Sequence, residues 1–266
     1  MIGAPDPLPK DAVRVNGVWH LGPVDEALST SYHAVREREQ RIHTDTVVRG
    51  LPLSGHRTQH AAEWRVRARS LKRLRKILHA LGKPLQILDI GCGNGWMSAA
   101  LALDGHAVIA MDAHLAELEQ AAHVFADRTV IWCLGDPRTV LFPEARFDVI
   151  VFAASLQYFP DLADLFHRVS KILAPGGRIH VVDTVLYDDP EATEQAAARS
   201  AAYYRALGVP SMAHLYHAHA LIDILRLGHV DTLSMPRDLG LFGRITGLND
   251  PFHHLAVRPH PQVVTP

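Results

Sequence analysis

Only two cysteines occur in 266 residues, Cys92 and Cys133. A disulfide scaffold is therefore excluded, and a reducing cytoplasm is the expected setting. Charge of one sign is missing too: the net value is −1. No global field favours nucleic acid or an anionic membrane as partner. Long hydrophobic runs are absent. The longest lies near Val149 to Leu156, far short of the roughly 20 residues that span a bilayer. The start, Met1-Ile-Gly-Ala-Pro-Asp-Pro7, lacks the basic and apolar parts of a signal peptide. No repeat or low-complexity segment appears. What remains, 48% hydrophobic and 21% charged residues, suits one globular domain with embellishments.

Within that ordinary composition, Leu85-Gln-Ile-Leu-Asp-Ile-Gly-Cys-Gly-Asn-Gly95 carries the most information. An apolar strand runs into G-x-G-x-G and then into a helix. A second apolar run, Ala107 to Met111, ends at Asp112, 17 residues after Gly95. This is the layout of a nucleoside-binding βαβ unit. Glycines let the backbone turn tightly and approach a ligand closely. A carboxylate at the next strand tip can accept from both ribose hydroxyls. The dinucleotide fingerprint, G-x-G-x-x-G, fits poorly. Its third glycine comes one residue early, at Gly95, and Trp96 fills a position that should be small. Asp89, just before the glycines, would repel a pyrophosphate and suit a cationic ligand end.

Asp89 to Gly95 resembles the first motif of the class I S-adenosylmethionine-dependent methyltransferases. The order downstream is similar to that family as well. Thr129 to Leu134 reads as a third strand closed by Gly135-Asp136, and Phe147 to Ala153 as a buried fourth. An aromatic loop, Ser155 to Asp161, and a helix, Leu162 to Leu173, follow. Ala174-Pro-Gly-Gly177 stops that helix before a fifth strand, Arg178 to Asp183. The resemblance covers Gln86 to about Asp183. It is closer to the branch acting on small molecules, because no N/D-P-P-Y/F motif follows the fourth strand. It implies a Rossmann-like α/β fold: a seven-stranded, mostly parallel sheet, helices on both faces and an antiparallel last strand.

The resemblance also implies S-adenosylmethionine as donor. Asp112 would hold the ribose diol, or merely cap the helix from Ala113 to Phe125. Asp136 would accept from the adenine amine, or serve the turn before Pro137. Asp89 would orient the glycine loop or the methionyl ammonium. The backbone at Gly91, Cys92, Gly93, Ala113, Gly135 and Ala153 would line the cofactor. Trp96 reads chiefly as core. Candidate catalytic residues are Tyr158, His214 and His217, with Gln157, Phe159, Asp183 and Tyr187 on the same sheet edge. His214 and His217, three apart, are expected to share a helix face. No carboxylate or cysteine converges there, so no metal is expected. Arg65 to Lys76 holds seven basic residues in twelve. Ser70, Leu74, Ile77, Leu78 and Leu81 recur at helical spacing, so that charge reads as the solvated face of an amphipathic helix.

Residues 1–84 are expected to form a helical extension, with the first ten residues mobile, a hairpin at Asn16-Gly17 and helices over 31–49 and 61–81. Residues 85–266 form the expected methyltransferase domain. Within it, Pro190 to Leu227 is a helical lid over the acceptor, with Tyr203, Tyr204, His214 and His217 among its pocket-facing residues. Strands His229 to Met235 and Phe252 to Val257 close the sheet. The expected function is methyl transfer to a small organic acceptor, with oxygen favoured by analogy. A non-catalytic S-adenosylmethionine-binding module and an NAD-type oxidoreductase are the alternatives. Homodimerisation stays open.

Overall fold

The computed structural model describes residues 6–140, 142–240 and 249–260. Most of the chain folds around one mixed sheet of nine strands. The amino-terminal part supplies β1 (Val13–Val15), β2 (Val18–His20), α1 (Glu26–Arg38), α2 (Asp45–Gly50) and α3 (Ala61–His79). The centre alternates β3 (Gln86–Ile90), α4 (Trp96–Leu103), β4 (Ala107–Asp112), α5 (Leu115–Val124), β5 (Val130–Leu134), β6 (Phe147–Ala153), α6 (Leu162–Ile172) and β7 (Leu173–Thr184). Then come β8 (Leu186–Tyr187), α7 (Pro190–Ala206), β9 (His219–Ala220), α8 (Leu221–Leu225), β10 (Gly228–Ser234) and β11 (His253–Pro259).

The strand order is β1-β2-β5-β4-β3-β6-β7-β11-β10. From β2 to β7 every pairing is parallel, and β11 and β10 add antiparallel. The chain winds outward from β3 to β5, then returns to lay β6 on the other side of β3. Ligands of open α/β sheets sit at such a reversal, beyond the carboxyl ends of the strands. The α/β class and the antiparallel closing strands are those expected, and nine strands replace the expected seven. The difference includes the hairpin. Asn16 and Gly17 both take positive φ, 47° and 87°, as a tight two-residue turn requires. Its second strand pairs with β5 and extends the sheet edge.

Near-continuous apolar strands need cover on both faces. On one face Leu74, Leu78, Leu101 and Leu118 join Ile87, Val108 and Val149 in one core. On the other, Leu165, Phe166 and Val169 pack with Leu88, Ile150 and Phe152. Asp161 caps α6 by accepting from the Asp164 N–H at 2.9 Å.

Two expected helices are corrected. The helix expected over 31–49 is two helices, α1 and α2, separated where Gln40 takes a φ of 54°. In the helical lid expected from Pro190 to Leu227, the carboxyl-terminal half is α-helical only in α8. Before it, Pro210–His214 makes a 3₁₀ turn, and His219–Ala220 pairs with β8. His214 and His217 therefore share no helix face. The mobility expected of the first ten residues lies partly outside the described residues, while Leu8 is buried in the core beside Trp19.

Candidate active site at the glycine loop

The loop after β3 is tied to β4 by hydrogen bonds. Gly91 and Cys92 N–H groups donate to the Met111 carbonyl at 2.8 and 3.1 Å. Asp112 completes the tie. Its Oδ2 accepts from the Gly93 N–H at 2.7 Å and its Oδ1 from the His114 N–H at 2.8 Å. A carboxylate has about four acceptor positions, so each oxygen keeps capacity for a ligand hydroxyl. His114, not Asp112, caps α5. Two loop glycines answer to packing as well. A Cβ on Gly91 (φ +73°) would lie 2.3 Å from Ser155, and one on Gly95 (φ +73°) would lie 2.3 Å from Trp132.

Two adjoining clefts open at the strand ends. The first encloses about 670 Å³ and is lined by Asp112, Ala113, Gly135 and Asp136, with Met111 and Phe159 as apolar walls. The second encloses about 1050 Å³ and takes in Asp89, Cys92, Gly93, Ala153 and Trp96. Tyr32, Gly91, Ala154 and Tyr158 border both. Every cofactor-lining position expected from sequence thus faces one cleft or the other. Trp96 also packs edge-on against Trp64, at 5.6 Å between ring centroids.

Electrostatics differ along this surface. Burial pushes the Asp89 carboxyl up to about 6, against a bond donated by Ser98 Oγ at 2.5 Å. Its Oδ1 is buried without a hydrogen-bond partner. Burial, then the charge of Glu117, pushes Asp112 to about 6 as well. Both would gain from a ligand that brings positive charge or hydroxyl donors. Asp136 is otherwise engaged. Oδ1 accepts from the Arg138 backbone N–H at 2.8 Å, and Arg138 Nη2 donates to Oδ2 at 2.6 Å. Arg138 Nε reaches both oxygens at 3.0 Å. An adenine amine would have to displace part of that clamp.

The catalytic expectations divide. Tyr158 lies where the clefts meet, its ring edge-on to Tyr32 at 5.6 Å and to Tyr216 at 6.0 Å. Burial pushes its phenol well above the ordinary range, so it stays protonated. His214 and His217 line neither cleft. The His217 backbone N–H instead donates to the Gln157 carbonyl at 2.7 Å. Gln157 borders the second cleft, while Asp183 and Tyr187 border neither. Of the expected lid residues, Tyr204 reaches the second cleft. Tyr203 is 47% exposed and donates to Glu39 at 2.6 Å.

Sequence reasoning expected a helix here but named none of the α1 residues that line the clefts. Leu28, Ser29 and Tyr32 wall the first cleft; Tyr32, Val35 and Arg36 wall the second. Arg36 Nη2 pairs with Glu117 at 2.9 Å, and Tyr32 Oη donates to the same carboxylate at 3.2 Å. The signal was present as Tyr32, Arg36 and Glu39, spaced to share one helix face.

A family profile described as a methyltransferase domain matches residues 88–181, the stretch that builds both clefts' floor. Over those residues the chain is similar to the methyltransferase domain family. An uncharacterized methyltransferase of Mycobacterium bovis is 34% identical over 99 residues, 37% of this chain and 50% of that protein. The 27-O-demethylrifamycin SV methyltransferase of Amycolatopsis mediterranei is 29% identical, over 43% of this chain and 44% of its own length. The chain spans about half the length of the curated relatives it matches. Among solved structures, a Pyrococcus horikoshii protein superposes with a TM-score of 0.51 at 18% identity, covering 77% of this chain and 94% of that one. That likeness concerns the fold. Among the described residues, no helix is long and apolar enough to cross a membrane. None of their side-chain groups of three or more His, Cys, Asp or Glu could hold a metal ion.

Proposed function

We propose that this protein transfers a methyl group from S-adenosylmethionine to an oxygen of a small organic acceptor. The observation that carries the reading is the pair of clefts meeting at Gly91, Ala154 and Tyr158. Two substrates need two sites that touch at one point.

The first cleft suits a nucleoside. Asp112 offers two unused acceptor positions for a diol, and Met111, Ala113 and Phe159 give a base apolar walls. Asp89 and Gly93 begin the second cleft, where a cationic methionyl end meets a buried carboxylate. When bound, the donor supplies an electrophilic methyl: an acceptor oxygen lone pair forms the C–O bond, the C–S pair returns to sulfur, and the hydroxyl proton passes to water. The protein chiefly aligns the reacting atoms. Tyr158 shapes the junction and, staying protonated, donates rather than accepts a proton. Oxygen as the acceptor atom is supported by relatives named as O-methyltransferases, including one of ubiquinone biosynthesis from Azotobacter vinelandii, 32% identical over 35% of this chain.

The test supplies labelled S-adenosylmethionine and a small-molecule extract. Acceptor-dependent S-adenosylhomocysteine supports the reading. Tight donor binding without product from any extract leaves a binding module instead.

A further inference from the structure

The second cleft extends well beyond the donor's end of the glycine loop, and its walls are unusual in one respect. Three arginines face it, and each is matched. Arg36 pairs with Glu117 at 2.9 Å. Arg41 reaches Glu39 and Glu63, each at 2.7 Å, and Arg67 reaches the other oxygen of Glu63 at 2.7 Å. The fourth carboxylate of the cleft, Asp89, lies at the glycine loop. Away from that loop the wall is three cations against three anions. Burial would raise the Glu63 carboxyl, but Arg67 and Arg41 outweigh it and hold it at about 2. The Glu63 carboxylate between its two arginines is therefore ionised at any working pH.

Tyrosines complete the wall. Tyr158, Tyr216 and Tyr204 form a chain of ring contacts, at 6.0 and 5.6 Å between centroids. Burial pushes all three phenols up, so they remain neutral donors and acceptors.

Such a wall selects against two kinds of acceptor. An apolar one would strip water from the ion pairs and return no hydrogen bonds, leaving a partly satisfied polar network. With Asp89 left to the donor's cationic end, a charged acceptor would find no unmatched counter-charge on the rest of the wall and would have to break a pair to make its own. A hydroxyl is donor and acceptor at once. Neighbouring hydroxyls can face an arginine N–H and the adjacent glutamate oxygen together, and tyrosine rings can cover the carbon skeleton between them.

We infer that the acceptor is a neutral molecule rich in vicinal hydroxyls, a saccharide ring or a small molecule bearing one. This deepens the methyl-transfer reading and depends on it. A site built to hydrogen-bond hydroxyls also rejects analogues that lack them.

The test uses the full chain saturated with S-adenosylhomocysteine and a matched series of pyranose rings. Methyl glucoside, methyl glucuronate anion, methyl glucosaminide cation and unsubstituted tetrahydropyran differ only in what the ring carries. Ligand-observed magnetisation transfer and calorimetry, at about millimolar probe, read the ranking. The neutral glycoside should bind at least about tenfold more tightly than each of the other three. Glu63→Gln leaves Arg41 and Arg67 short of one counter-charge, and should invert the order of the neutral and anionic rings. If that variant does not fold, the wild-type ranking decides alone. Tighter binding of the anion, the cation or the bare ring by the wild-type protein overturns the inference. So does binding of none of the four. Failure at the first step, with no S-adenosylhomocysteine bound, strikes the donor reading instead and takes this inference with it.

Discussion

Asp89 lines the second cleft and Asp112 the first, and both carboxyls sit at about 6, above their ordinary 3.8. Each must be ionised to accept from a cation or a diol. Above pH 7 both are ionised and donor affinity should be flat. As pH falls through 6 they take up protons, and affinity should drop by up to about tenfold per unit for each carboxyl involved. Calorimetry of S-adenosylhomocysteine between pH 7.5 and 5 (an arbitrary but convenient span, roughly that of imidazole titration) reads the slope. Affinity that rises on acidification would contradict the assignment of either carboxylate. These two residues were legible because their meaning is local: an acid before the glycines, an acid at the next strand tip. Arg36 and Glu117 were not, since their pair joins positions 81 residues apart. Only packing decides which charges meet. Asp136 lines the first cleft, but its clamp by Arg138, two residues on, was overlooked.

Helix α1 shares the covering role expected of the segment from Pro190 to Leu227, whose Tyr204 and Tyr216 reach the second cleft. It roofs both clefts, and the later segment braces it. Val35 packs with Tyr204, Val209 and Met212, Ser31 meets Ser211 at 2.9 Å, and Arg38 donates to the Leu207 carbonyl at 3.0 Å. Product release requires a roof that opens. Amide exchange should therefore slow in α1 and α7 together when S-adenosylhomocysteine is added, with β3 and β6 unchanged. Protection gained in α7 alone would restore the later segment as the lid. Elements with a dense apolar pattern, β3, β4 and β6, could be read from sequence to within a residue or two. The stretch before Leu221 could not. Its apolar residues fall at helical spacing, yet β9 forms because His219–Ala220 finds β8, more than 30 residues earlier in the chain, roughly the reach of a βαβ unit.

The whole molecule carries more buried imidazoles than its core needs. Among the described residues, eight histidines are held below their ordinary 6.5, with burial the first cause in each. His180 is lowered to about 4 and His254 to about 3, and their rings meet at 3.1 Å under α3. The unfolded chain binds these protons near 6.5 and the folded chain does not, so stability is lost as pH falls below that value. The raised carboxyls Asp89, Asp112 and Asp183 pull the other way but are three against eight. The melting temperature should fall steadily from pH 7 to about 5. His254→Phe should flatten the slope, and a wild-type melting temperature that climbs over that range would refute the balance of terms. Within the basic helix Arg67, Arg73 and Arg75 are paired with Glu63, Asp250 and Asp104, so three of its seven positive charges are matched by carboxylates. The proposed chemistry requires the donor to occupy the cleft at Asp112. Isothermal calorimetry of S-adenosylhomocysteine against the wild-type protein and Asp112→Ala tests that most directly. The wild type should bind, and the variant should lose two charge-assisted bonds worth roughly 1.5–3 kcal/mol each, a loss of about a hundredfold or more. Equal affinity in the two proteins would contradict it.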